Sequence, residues 1–266
     1  MSDKPISFSA LLNSLELDSQ GSFKVTIPDN WLQGRTTYGG LSAAICLRAV
    51  EMAHPSLPPL RSTQVNFIGP VSGNTSTTVT VLRQGKSVSC IAADMYSDAG
   101  LATHATFVFG QSRESRLDAD FTEPPQIPSF EKAPDFFTSP KRPAFAHHFD
   151  CQLAKGGQPL SGSTEHEHYI WVRHKDTNAT GTTALIGVAD MPPPAVLPMF
   201  KEFAPISSVN WTVNLLSNDL STNDGWWLMR SAAEHARDGY SSQDMQVWNS
   251  EGKLIISAMQ SVAIFY

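Results

Sequence analysis

Apolar and polar residues alternate in the first periodic stretch of the chain. Phe23, Val25 and Ile27 are separated by Lys24 and Thr26, and Pro28, Asp29 and Asn30 end the run. A period of two sets the apolar residues on one face of a half-buried strand. After a loop closing on Tyr38, Gly39 and Gly40, the period changes. Leu41, Ala44, Ile45, Ala49 and Met52 recur at helical spacing until His54-Pro55 and Pro58-Pro59, which predicts one amphipathic helix. Four β-rich runs follow, over 61–68, 75–82, 87–96 and 101–109, parted by Gly69-Pro70, Gln84-Gly85-Lys86 and Asp98-Ala99-Gly100.

From Gln111 to Ala146 the periodicity lapses, and Pro124, Pro125, Pro128, Pro134, Pro140 and Pro143 mark a connector. The earlier order then returns. A strand-like run covers 165–173, a small-residue helix 182–190, and Met191-Pro192-Pro193-Pro194 breaks it. Strands are expected over 208–216, 226–234, 240–248 and 254–265, with turns at Arg237-Asp238-Gly239 and Ser250-Glu251-Gly252. These turns match those of the first half in order, so an internal duplication is expected. The period is too long for a solenoid repeat, leaving two compact modules, 1–112 and 147–266, joined by a Pro-rich linker over 113–146. Each module reads as a helix packed on an antiparallel sheet, an α+β unit, and pairing the two sheets would cover exposed strand edges.

Composition narrows the function. With 41% hydrophobic and 17% charged residues, the 266-residue chain has the make-up of a folded globular protein. A net charge of −6 with 19 scattered Lys and Arg argues against nucleic acid as a partner. Residues 1–27 lack the basic start and apolar run of a signal peptide, and no stretch approaches the ~18 apolar residues of a membrane span. The expectation is a soluble, cytoplasmic protein with no membrane partner. Cys46, Cys90 and Cys151 are odd in number and far apart, as free thiols in a reducing compartment would be.

Four segments, taken in order, resemble one family: Gly34-Arg35-Thr36-Thr37-Tyr38-Gly39-Gly40, Asn66-Phe67-Ile68-Gly69-Pro70, Ala184-Leu185-Ile186-Gly187-Val188-Ala189-Asp190 and Ser257-Ala258-Met259-Gln260. Together they are similar to the double-hotdog acyl-CoA thioesterases, the group containing bacterial thioesterase II, over most of the chain outside the linker. The resemblance implies two fused hotdog domains, each an antiparallel sheet wrapped on a central helix. It also implies hydrolysis of an acyl-CoA thioester to free acid and CoA, a place in lipid metabolism, no cofactor or metal, and a homo-oligomer. In that family the catalytic groups are an aspartate on the second hotdog helix, a Thr or Ser opening the next strand, and a Gln on the last strand. The matching positions are Asp190, Ser208 and Gln260, with Ser207 and Thr212 near enough to compete for the hydroxyl role. The sequence departs from the pattern at Asn210-Trp211, where relatives carry an acidic residue followed by His.

Thioester hydrolysis needs an activated water and donors for the developing oxyanion, while the thiolate leaves without much help. A carboxylate at Asp190 could take the water's proton while Gln260 and Ser208 orient that water. Such a base needs burial to lift its pKa from about 3.9. Gly39 and Gly40, at a helix start, offer bare N–H groups to a carbonyl or a phosphate, and Arg35 and Tyr38 complete the candidate substrate-binding set. Taken singly, Asp190 also fits a loop cap before prolines, Gln260 a polar strand face, and Ser208 a local backbone hydrogen bond.

Other chemistries lack a motif. There is no Gly-x-Ser-x-Gly elbow, no GxGxxG and no Walker pattern. Glu165-His166-Glu167-His168 reads as the polar face of a strand rather than a metal site. Two rival functions stand beside the hydrolase: a catalytically inactive acyl-binding or assembly protein on the same fold, and an enoyl-CoA hydratase. The latter calls for a paired Asp and His that the second helix does not carry.

Overall fold

The computed structural model describes residues 5–140 and 142–266. The first half contains α1 (Phe8–Asn13), β1 (Glu16–Leu17), β2 (Phe23–Ile27), β3 (Leu32–Gln33), β4 (Thr36–Thr37) and α2 (Gly39–Ala53), then β5 (Leu60–Phe67), β6 (Gly73–Gln84), β7 (Val88–Ser97) and β8 (Gly100–Gly110). The second contains β9 (Phe149–Lys155), β10 (Glu167–His174), α3 (Gly181–Ala189), β11 (Ile206–Leu215), β12 (Trp227–Arg237), β13 (Tyr240–Asn249) and β14 (Leu254–Ile264).

Twelve of these strands form one antiparallel sheet in the order β1-β2-β6-β7-β8-β5-β11-β14-β13-β12-β10-β9. Read outward from the central β5/β11 pair, the two halves repeat each other strand for strand. Each half wraps its sheet around its own helix, so the protein is an α+β double hotdog. The seam is a regular ladder that opposes Trp211 to Val65 and Val213 to Thr63, and it removes the open edge each half would otherwise expose.

The helices α2 and α3 meet inside the curled sheet at a crossing made possible by glycines. A Cβ on Gly40 would stand 2.5 Å from the Gly187 carbonyl oxygen, and one on Gly187 would stand 2.6 Å from the Phe8 ring. Only bare backbone fits such an approach. The short helix α1, which the hydrophobic pattern did not reveal, closes this crossing from outside. Phe8 is buried there, and the Ser9 amide and hydroxyl bind Asp176 Oδ2 at 2.8 and 2.6 Å.

Between β8 and β9 the described proline-rich residues contain no helix or strand before a 3-10 turn at Ala144–His148. They are nonetheless packed. Phe130 stacks on Trp226 with ring centroids 5.2 Å apart, and the Trp171 indole N–H donates to the Pro128 carbonyl at 3.0 Å. Trp171, Leu228, Trp248 and Leu254 share the outer face of adjoining strands, and this segment covers them. Burying aromatic surface here offsets the conformational entropy of a long loop.

Candidate active site

The C-terminal end of α3 is aimed at the N-terminal end of α2. Asp190 follows the last residue of α3, and a Cβ built on Gly39, the first residue of α2, would lie 2.7 Å from Asp190 Oδ2 and 3.0 Å from the Phe67 ring. Glycine at that position lets the carboxylate sit against the helix start. Gln260, buried on β14, donates from Nε2 to Asp190 Oδ1 at 2.9 Å.

Burial is the dominant influence on this carboxyl. Although a little of Asp190 reaches the surface, its acid group is walled by protein, and lost hydration pushes its pKa up to about 7. Hydrogen bonds from the Gln260 amide and the Gly40 backbone N–H pull the other way and keep the ionised form attainable. The partial positive end of α2 acts in the same sense. The result is a carboxyl that exchanges its proton near neutrality.

Register decides which hydroxyl faces this group. Side chains directly opposite each other on neighbouring strands share a face of the sheet. Gln260 pairs with Trp211 and Val262 pairs with Ser208, so Ser208 projects to the inner face, one pair along from Gln260. Thr212 pairs with the exposed Met259, and Ser207 pairs with Ala263, so both lie on the outer face. The switch arises at a bulge between Ser208 and Asn210, where Val209 is the extra residue; bulges of this kind re-aim side chains. Ser208 shares the face of Gln260 without a hydrogen bond between its side chain and either Gln260 or Asp190 among the described bonds. The departure at Asn210-Trp211 divides between the faces: Asn210 is exposed on the outer side, and Trp211 is a buried filler opposite Gln260.

Two family profiles match in tandem, that of the acyl-CoA thioesterase N-terminal domain over residues 27–110 and that of the acyl-CoA thioesterase C-terminal domain over residues 121–264. The chain belongs to the acyl-CoA thioesterase family. Solved structures agree on the hotdog fold. A conserved protein of unknown function from Alicyclobacillus acidocaldarius superposes with a TM-score of 0.87 at 24% identity, covering 97% of this chain and 98% of its own. An acyl-CoA thioesterase II from Mycobacterium marinum gives 0.78 at 15% identity, with 98% of both chains covered. No curated protein matches the sequence.

Within this acyl-CoA thioesterase fold the candidates divide. Asp190, Gln260, Gly39 and Gly40 converge, and Ser208 faces them. Arg35 is exposed in the turn between β3 and β4. Tyr38 is enclosed instead: its hydroxyl donates to the Gly187 carbonyl at 2.8 Å and its ring stacks on Phe145 at 4.3 Å, so it braces the helix crossing. The Glu-His run is not a polar face throughout. Glu167 does face outward, to Arg230 at 2.7 Å and Lys155 at 3.1 Å, but His168 turns into the core and is held neutral by burial.

Two features of the site have no role assigned to them by the sequence. Phe67 was visible only as part of the resemblance, yet its ring lies over Gly39. Gln243 is buried on β13 directly opposite Gln260, and its Nε2 donates to Gln260 Oε1 at 2.8 Å. A glutamine in the polar run Ser241-Ser242-Gln243-Asp244 gives no hint of which face it occupies.

Among the described residues, no helix is long and apolar enough to cross a membrane. Cys46, Cys90 and Cys151 are free thiols.

Proposed function

We propose that this protein hydrolyses acyl-CoA thioesters to the free acid and CoA, with Asp190 as general base. The observation that carries the reading is the 2.9 Å bond from Gln260 to an Asp190 carboxyl whose pKa is lifted to about 7 at the start of a helix. A base of that pKa is half ionised at neutral pH and still strong enough to take a proton from water.

In the proposed step, water held between Asp190 and the Ser208 hydroxyl attacks the thioester carbon and passes a proton to the carboxylate. The carbonyl oxygen gains charge and is met by the Gly39 backbone N–H and the positive end of α2. The C–S bond then breaks, and the proton on Asp190 goes to the departing CoA thiolate. Gln260 holds the carboxylate at its working angle, and exposed Arg35 would meet CoA phosphates outside. The same reading includes a cytoplasmic acyl-CoA substrate and a homo-oligomer, for which Met259, 54% exposed on the outer sheet face, offers apolar surface.

The test is free-thiol release from acyl-CoAs of several chain lengths by the unaltered protein, Asp190→Asn and Gln260→Ala. Turnover by the first and a loss of 10²-fold or more, roughly, in Asp190→Asn support the reading. Absence of turnover with every acyl-CoA would leave an acyl-binding protein on this fold.

A further inference from the structure

Gln260 is useful to Asp190 only one way round. With Nε2 toward the carboxylate it donates; with the amide reversed, its oxygen would face a carboxylate oxygen and repel it. A glutamine side chain has no internal preference between these arrangements, so its surroundings must impose one.

The imposing groups form a chain of fixed direction. The backbone N–H of Ala195 can only donate, and it donates to Gln243 Oε1 at 2.9 Å. Gln243 must therefore turn its NH₂ away, and Nε2 donates to Gln260 Oε1 at 2.8 Å while also contacting Met245 Sδ at 3.5 Å. With its oxygen so engaged, Gln260 presents Nε2 to Asp190 Oδ1 at 2.9 Å. Both glutamines are buried, at 1% and 3% exposure, so water does not compete for either amide. Ala195 lies just past the Met191-Pro192-Pro193-Pro194 run that follows Asp190. Backbone and side chains thus close a ring: Asp190, the proline segment, Ala195, Gln243, Gln260 and back to Asp190.

We propose that Gln243 is a positioning residue of the thioesterase site, which relays the donor polarity of the Ala195 amide through Gln260 to the Asp190 carboxylate. The inference rests on the hydrolase reading for its kinetic consequence, but not for its structural one. Without the donor from Gln243, the Gln260 oxygen is left unpartnered in a buried place, which the amide can relieve by turning round or swinging away. Asp190 then loses the bond that favours its ionised form.

The test uses Gln243→Met, which keeps length and volume but cannot donate, in the full chain, with thermal unfolding as the check on folding. Carbon NMR of the Asp190 side-chain carboxyl gives its titration midpoint without substrate. The expected result is a midpoint moved upward in Gln243→Met, a matching upward move of the acid limb of kcat/KM, and a fall in kcat of about tenfold with KM little changed. In a Gln260→Leu background, Gln243→Met should add nothing to either readout. A folded Gln243→Met with an unmoved midpoint, or an undiminished effect in the Gln260→Leu background, overturns the relay. So do Gln243 side-chain amide signals in the unaltered protein that ignore the titration of Asp190, a measurement that needs no variant to fold. Because the NMR arm involves no turnover, an inactive protein would end the hydrolase reading without touching this one.

Discussion

Gly39 opens α2 and Asp190 caps the end of α3, in opposite halves of the chain, yet a single methyl group on the glycine would stand 2.7 Å from the carboxylate oxygen. Asp190 is thereby fixed from one side by bare backbone and from the other by the Gln260 amide, 2.9 Å from Oδ1.

That closeness makes Gly39→Ala a sensitive probe. Alanine is a good helix residue, so the start of α2 should fold, but its Cβ must displace the carboxyl or the Phe67 ring. A displacement of a few tenths of an ångström to 1 Å is expected to lower kcat/KM by about 10- to 100-fold. Steady-state kinetics and a melting curve on the same preparation check it: activity should fall while Tm changes little.

The pH dependence of the reaction should report Asp190. Its pKa of about 7 predicts that kcat/KM rises through neutrality as the base loses its proton and levels off above about pH 8. A limb centred below pH 5 would assign the base elsewhere.

The same burial has a stability consequence whose sign can be worked out. In the unfolded chain this carboxyl ionises near 3.8, in the folded protein near 7, so the folded state binds the proton more tightly. Below both values the group has no effect; between them stability falls as pH rises; above the higher value the full penalty is present. Asp190→Asn, which never ionises, should therefore raise Tm by about 2–8 °C at pH 8 and by less at pH 5, while lowering turnover by about 10²-fold or more. Calorimetry at the two pH values distinguishes this from a uniform gain.

The three neighbouring hydroxyls should behave differently. Ser208→Ala is expected to reduce kcat about tenfold, or roughly 1.4 kcal/mol, because it removes a donor and acceptor from the inner face. Thr212→Ala and Ser207→Ala, on the outer face, should leave kcat within about twofold. An effect at Thr212 and none at Ser208 would take the hydroxyl role away from Ser208.

Much of this architecture can be read from the residues alone because hydrophobic period and turn chemistry are local. The alternation in Phe23, Val25 and Ile27, the helical spacing from Leu41 to Met52, and the matching turns at Gly85 and Gly239 each fall within one element or one hairpin. Asp190 and Gln260 stand out through the order of the family's motifs. What stayed hidden depends on partners far away in sequence. The inward turn of Ser208 follows from a bulge opposite β14, the value of Gln243 from its register with Gln260, and the enclosure of Tyr38 from a carbonyl on α3. β9 escaped notice because Phe149, Cys151 and Leu153 alternate just behind a proline-rich stretch that masks the pattern. The helix α1 is too short for periodicity to declare itself, and its role is to lay Phe8 over Gly187.

A candidate site made of a helix start from one repeat and an acid from the other has a practical meaning in a dilute cell. Two separate subunits sharing such a centre would come apart as their number fell, and with them the activity. Tethered in one polypeptide and joined along the β5/β11 ladder, the repeats stay together at any dilution. Function per molecule then no longer depends on how many copies the cell makes, and each repeat is free to lose whatever chemistry the other supplies.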